Sequence, residues 1–301
     1  MPAIRRVAAL ALLLASAAPA LAQIPFRTPH AGSQHILIEG ELGGRGPFTL
    51  LLDTGYVAPF TIALSQGAAE RAGARPAGGE PFISRAAVGG PVRLDRYSLP
   101  RLALGPVRVA NPTVGVTEAI DIVSRAFGVR IDGIVGHDFL RGRVIAIDYA
   151  CRNVDLEAAA PNAPPTAAFT IAPVRPVILV RARINGRGPY QLVLDTGAGH
   201  TILSPGAAAA AAVATGGPTS LTGAGGEEGG AWHGRAEVAV GSAPARRIAL
   251  IVAPLVDRVA REAGTRIDGI AGTNLFGQGR LVLDYPGRRA WLQPARPCAA
   301  R

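Results

Sequence analysis

The sequence predicts an all-β fold, mainly β with a few short helices, built as two similar lobes related by pseudo-two-fold symmetry. Two observations predict it. The first is an internal repeat that spans most of the chain, and a tandem copy in the same order means two lobes of one design. The second is punctuation. Of 301 residues, 38 are Gly and 25 are Pro, and they cut the apolar runs into strand-length pieces separated by turns. A content of 49 % apolar and 17 % charged residues is that of a chain able to bury a core, not of a disordered one.

The first 22 residues read as a secretory signal peptide. Arg5 and Arg6 form a positive start, Val7 to Ala18 an apolar stretch, and Ala20-Leu21-Ala22 a small-x-small cleavage site. The stretch is short for a spanning helix, which needs about 20 residues. No later run approaches that length, so the mature chain, starting at Gln23, is expected to carry no transmembrane segment.

The repeat then sets out the rest in order. Arg45-Gly46-Pro47-Phe48 leads into Thr49-Leu50-Leu51-Leu52-Asp53-Thr54-Gly55. The same pattern returns 142 residues on, as Arg187-Gly188-Pro189-Tyr190 leading into Gln191-Leu192-Val193-Leu194-Asp195-Thr196-Gly197. Ile131-Asp132-Gly133-Ile134-Val135-Gly136 returns as Ile267-Asp268-Gly269-Ile270-Ala271-Gly272, and Arg143 to Tyr149 returns as Arg280 to Tyr285. Lobe one is placed at 24–157, a Pro-rich linker at 158–167 around Pro161, Pro164 and Pro165, and lobe two at 168–301. Residues 34–42 and 177–184 are apolar and β-branched, hence strands. Residues 48–52 and 190–194 are strands that end at the two Asp-Thr-Gly turns. Ser65 caps a short helix ending near Gly73, and Ser204-Pro205 opens a second. Residues 118–127 and 254–263 show helical apolar spacing.

One Asp-Thr-Gly says little. Two in register, each after an apolar strand and each followed later by an apolar-apolar-Gly segment, resemble the active-site lobes of pepsin-like and retroviral aspartic peptidases. Ile134-Val135-Gly136-His137-Asp138-Phe139-Leu140 is similar to a signature of bacterial and retroelement retropepsin-like proteins. The resemblance covers nearly the whole mature chain. It implies the two-lobed acid-protease β-barrel fold and an aspartic endopeptidase with Asp53 and Asp195 as its catalytic pair. Two carboxylates a few ångströms apart share one proton, so a water between them meets a general base and a general acid together. The expected support is Thr54 and Thr196, whose hydroxyls in the family cross between lobes, with Gly55 and Gly197 letting the backbone turn beneath the carboxylates. The resemblance also implies Gly-rich flaps over the substrate. Leu221 to Gly230, with Gly225 and Gly226, supplies one, and Ser84 to Val92, with Gly89 and Gly90, the other. Trp232 is a candidate pocket wall beside the flap, or a packing aromatic. Asp132, Asp268, Asp148 and Asp284 read as turn caps or strand-end residues.

One position departs from the pattern. Where Ala198 follows the second Asp-Thr-Gly, Tyr56 follows the first, and Pro59 lies three further on. A phenol beside Asp53 motivates an alternative function, a catalytically inactive peptide- or partner-binding protein that keeps the fold. A third arrangement has each lobe pairing with another chain, but the duplicated motif argues for a self-sufficient monomer.

Composition trims the remaining classes. The formal charge of +10 comes entirely from Arg, because the chain has no Lys. The Arg are spread out, without the aromatic-interleaved clusters of a nucleic-acid binder. His30, His35, His137, His200 and His233 are scattered and no Cys/His cluster has metal-ligand spacing, so no cofactor is expected and the partner is a peptide or protein substrate. The two Cys, Cys151 and Cys298, suit one disulfide in an exported protein, with the bacterial periplasm as the expected location.

Overall fold

The computed structural model describes residues 23–85 and 88–298. The signal-peptide segment lies outside the described residues. Lobe one runs β1 (Ile24–Arg27), β2 (Ile36–Leu42), β3 (Arg45–Leu52), β4 (Ile62–Leu64), α1 (Gln66–Ala72), β5 (Arg75–Pro76), β6 (Phe82–Ser84) and β7 (Val92–Ser98). It continues with β8 (Arg101–Leu104), β9 (Val107–Ala110), β10 (Thr113–Val116), α2 (Ala119–Phe127), β11 (Gly133–Val135), α3 (His137–Leu140), β12 (Val144–Asp148) and β13 (Asn153–Asp155). Lobe two runs β14 (Ala167–Ile171), β15 (Ile178–Ile184), β16 (Arg187–Leu194), β17 (Thr201–Leu203), α4 (Pro205–Ala210), β18 (Ala214–Gly223) and β19 (Gly226–Val240). It ends with β20 (Arg246–Val252), α5 (Leu255–Ala263), β21 (Gly269–Ala271), α6 (Thr273–Phe276), β22 (Arg280–Asp284) and β23 (Arg289–Gln293).

The repeat is repeated in space. β2 and β3 form a hairpin, as do β15 and β16. β3 begins at Arg45, three residues ahead of the predicted start, because the ladder runs down to Leu42 opposite Arg45 across the Gly43-Gly44 turn. Both of those glycines have positive φ, which a tight two-residue hairpin requires. α1 starts at Ser65, whose Oγ accepts from the Ala68 N–H, and stops at Gly73 with φ 70°. α4 starts the same way at Ser204, with Pro205 in its first turn.

What places the two Asp-Thr-Gly turns is a threading of three strands. β11 lies parallel to β3, with Leu52 opposite Val135, and antiparallel to β4, with Ile62 opposite the same Val135. β21 lies in the same way between β16 and β17. The chain therefore leaves β3, makes the turn, and comes back on the far side of β11. Leu50, Leu52, Ile62, Leu64 and Val135 are buried there, as are Leu192, Leu194, Leu203 and Ala271 in lobe two. A fully buried Leu or Ile is worth about 1.5–3 kcal/mol, so this crossing is stiff.

Two of the four repeated aspartates reinforce it, and the other two cap turns. Asp132 accepts from the Thr49 N–H and pairs with Arg71 and Arg130. Asp268 does the same with the Gln191 N–H and Arg266. Asp148 caps the turn at Cys151, and Asp284 the turn at Gly287.

The lobes are joined by a six-stranded antiparallel ribbon. β12 pairs with β22, Ala146 opposite Val282. β13 and β23 flank them, and β1 and β14 close the edges. Cys151 and Cys298 are bonded, fixing the C-terminal tail to the β12–β13 turn.

Candidate active site

Asp53 follows directly on β3, and its backbone N–H donates to the Val135 carbonyl at 2.9 Å. Asp195 follows β16 and donates to Ala271 at 3.1 Å. The two turns meet on the pseudo-two-fold axis. Thr54 Oγ1 donates to the Leu194 carbonyl at 2.9 Å and accepts from the Thr196 N–H at 3.0 Å. Thr196 Oγ1 donates to Leu52 at 2.9 Å and accepts from the Thr54 N–H at 3.0 Å. Both threonines have no exposed surface. Four buried hydrogen bonds thus cross the lobe boundary, and losing one partner leaves a buried group unpaired at about 1–3 kcal/mol.

The carboxyl groups of Asp53 and Asp195 face one another across the axis, each acting directly on the other's proton affinity. They are so close beneath the turns that a Cβ on Gly55 would collide with the Asp195 carboxylate, and one on Gly197 with that of Asp53. Only glycine fits at either place. Gly55 and Tyr56 donate their N–H groups to Asp53 Oδ1 at 2.8 and 2.9 Å, and Gly197 donates to Asp195 Oδ1 at 2.8 Å. Burial, then the neighbouring Asp195 charge, pushes the Asp53 carboxyl well above the ordinary carboxylate range. Burial also raises Asp195, against the backbone donors and the Arg175 charge that pull it down. Such a pair holds one proton where isolated carboxyls hold none.

Two hairpins arch over this floor. β6 and β7 form the lobe-one flap, and β18 and β19 the lobe-two flap. Their tips meet. The Gly225 N–H donates to the Val88 carbonyl at 2.8 Å, and a Cβ on Gly89 would strike the backbone of Gly225 and Gly226. The Gly89 N–H donates to Glu228 Oε2 at 3.1 Å, and Glu228 is held by both Nη atoms of Arg258 on α5, at 3.1 and 2.7 Å. Each tip crosses the axis, Val88 packing on the lobe-two cluster and Ala224 on the lobe-one cluster. Trp232 lies further down β19, opposite Val252, and is 40 % exposed.

Three neighbours of the site carried no signal in the sequence. His35 sits just before β2. Its Nε2 is 3.1 Å from the Gly197 carbonyl and its Nδ1 2.9 Å from Ser33 Oγ, and burial lowers its pKa to about 4. Nε2 of the neutral ring thus donates to lobe two. Arg175 sits between β14 and β15 and acts electrostatically on both Asp53 and Asp195. The Glu228–Arg258 pair is the third. All three are ordinary residue types whose importance comes from contacts across the lobes, and in a chain whose 31 basic residues are all Arg no single Arg stands out.

The sequence model of a family described as aspartyl protease matches residues 38–139 and 180–275, one stretch in each lobe, together more than half of the chain. No curated protein matches it.

Proposed function

Because the chain belongs to the aspartyl protease family, we propose that it is an aspartic endopeptidase whose Asp53 and Asp195 activate one water between them. The observation that carries this reading is the close approach of two carboxyl groups, each lying against the glycine of the other turn and both with raised proton affinity, on a rigid floor. The ionised member takes a proton from the water as it attacks the peptide carbonyl. The protonated member donates to the carbonyl oxygen. Then the carboxyl that took the water's proton gives it to the amide nitrogen, the other recovers a proton from a hydroxyl of the tetrahedral species, and the C–N bond breaks to release the amine and a carboxylic acid. Nothing covalent links enzyme and substrate. The flaps close water out and bind the extended peptide, and they must part for it to enter.

One chain supplies both halves of the dyad, which supports action as a monomer. The Cys151–Cys298 bond suits an oxidising compartment, in keeping with an exported protein of the periplasm.

The test is cleavage of a mixed peptide library by the mature chain. Asp53→Asn and Asp195→Asn are each expected to lower the rate by roughly a thousandfold or more. Full activity in either variant would reject the shared-proton mechanism. Peptide binding without cleavage by the parent protein, from acid to neutral pH, would instead favour the inactive binding protein.

A further inference from the structure

Arg175 reaches from the turn between β14 and β15, in lobe two, to the lobe-one flap. Its Nη1 is 3.4 Å from Ser84 Oγ on β6 and 3.4 Å from Glu262 Oε2 near the end of α5. Only 17 % of its side chain is exposed. A guanidinium carries five N–H donors, yet among the described residues both of its hydrogen bonds leave from Nη1, and both are long. It lies within electrostatic reach of Asp53, Asp195 and Tyr56. A largely buried cation this loosely held has capacity left for another acceptor.

Tyr56 supplies the second, independent observation. Its backbone is fixed beside Asp53, to whose Oδ1 its N–H donates. Its hydroxyl is buried with no hydrogen-bond partner among the described residues. A buried, unpaired hydroxyl costs about 1–3 kcal/mol, and a side chain ending in alanine, as at the matching Ala198, would avoid that cost. Arg175 acts electrostatically on Tyr56, so the two donors are neighbours, where the repeat-related position carries only the methyl of Ala198.

We propose that Arg175 and the Tyr56 hydroxyl form a subsite for a substrate carboxylate, making Arg175 the specificity-determining residue of the cleft. The proposal rests on the peptidase reading. The carboxylate takes the unused face of the guanidinium and accepts from the phenol, while Glu262 competes for the same cation. Either an acidic side chain near the scissile bond or the free carboxylate of a peptide end meets these requirements.

The experiment compares matched peptides. One pair carries glutamate or glutamine at each position flanking the cleaved bond, and another ends in a free carboxylate or an amide. The parent protein is expected to favour the acid in one pair by roughly tenfold or more in kcat/KM, as a charge-assisted hydrogen bond implies. The pair that shows the preference identifies the source of the carboxylate. Arg175→Met is expected to bring the acid-to-amide ratio close to one, Tyr56→Phe to lower it, and Glu262→Gln to raise it. That opposite sign is something a merely structural Arg175 would not produce. A ratio of one in the parent, or an unchanged ratio in Arg175→Met, would overturn the subsite.

Fluorescence anisotropy of the same peptides on the Asp53→Asn/Asp195→Asn protein separates this from the catalytic question. Preferential binding of the acid by a protein whose parent cleaves nothing would uphold the subsite and reject the peptidase. No preference in binding or in cleavage would remove the subsite whatever the activity.

Discussion

The carboxyl of Asp53 is costly to keep. Its folded proton affinity is raised above the ordinary value of 3.8, so the native state binds that proton more tightly than the unfolded chain does. Stability therefore falls as pH rises from the ordinary aspartate range through the raised value. Asp53→Asn removes the ionisable group and keeps the shape. It is expected to raise the melting temperature at neutral pH, with the gain fading below about pH 3.8, where both states of the parent are protonated. A scanning calorimeter run across that range checks this, and an equal effect at every pH would contradict the buried-charge account. Asp53, Thr54, Gly55 and their repeats stood out in the sequence because their identity is fixed by local geometry, here a turn with no room for a Cβ. Arg175 and His35 did not, since what matters about them is contact with residues more than 80 positions away. Tyr56 departs visibly from the repeat, but the state of its hydroxyl, buried without a partner among the described residues, depends on packing.

The flaps are two hairpins latched by one carboxylate. Glu228 joins three elements: its own strand β19, helix α5 through Arg258, and the lobe-one tip through Gly89. Arg258, with a smaller influence from Gly89, holds this carboxyl below its ordinary value of 4.5. Its contribution is accordingly complete above that value and is lost as pH falls through the lower, folded one. Both partners keep a quarter or more of their surface in water, so the ion pair is worth about 0.2–1 kcal/mol. Glu228→Gln is expected to lower the hydrogen-exchange protection of the Gly89 and Gly225 amides several-fold at neutral pH, and acid to lower the protection factors of the same amides in the parent, each taken against the intrinsic rate at its own pH. Unchanged exchange would show that the backbone contacts alone hold the tips. Helices and strands at this scale were largely legible, because caps such as Ser65 and Ser204 and the apolar spacing of α2 and α5 act locally. The Gly-rich flap was legible as a turn. That its tip reaches the opposite lobe was not, because hairpin length says nothing of where a hairpin leans.

At the scale of the molecule, the lobes are held by the buried threonine exchange, by β12 against β22, and by the Cys151–Cys298 bond. That bond closes a loop of 147 residues, and a loop of that length constrains the unfolded chain strongly, by about 2–4 kcal/mol. Cys298→Ser, or reduction of the parent, is expected to lower the urea midpoint accordingly, without altering the dyad. No loss of stability would mean that the tail contributes nothing to the fold. The repeat made the doubled architecture legible from the sequence, and the family match spans both halves.

The pairing of β12 with β22 has a consequence for any attempt to divide the protein. Cutting the chain after the first half would strip β12 of one of its two neighbours and leave the amides and carbonyls on that side facing solvent. A second copy of the same fragment offers a strand of like shape to fill that gap, antiparallel about a true rotation axis. Two identical Asp53 side chains would then stand where Asp53 and Asp195 stand now, and the covalent link between halves is what spares the intact molecule that search for a mate.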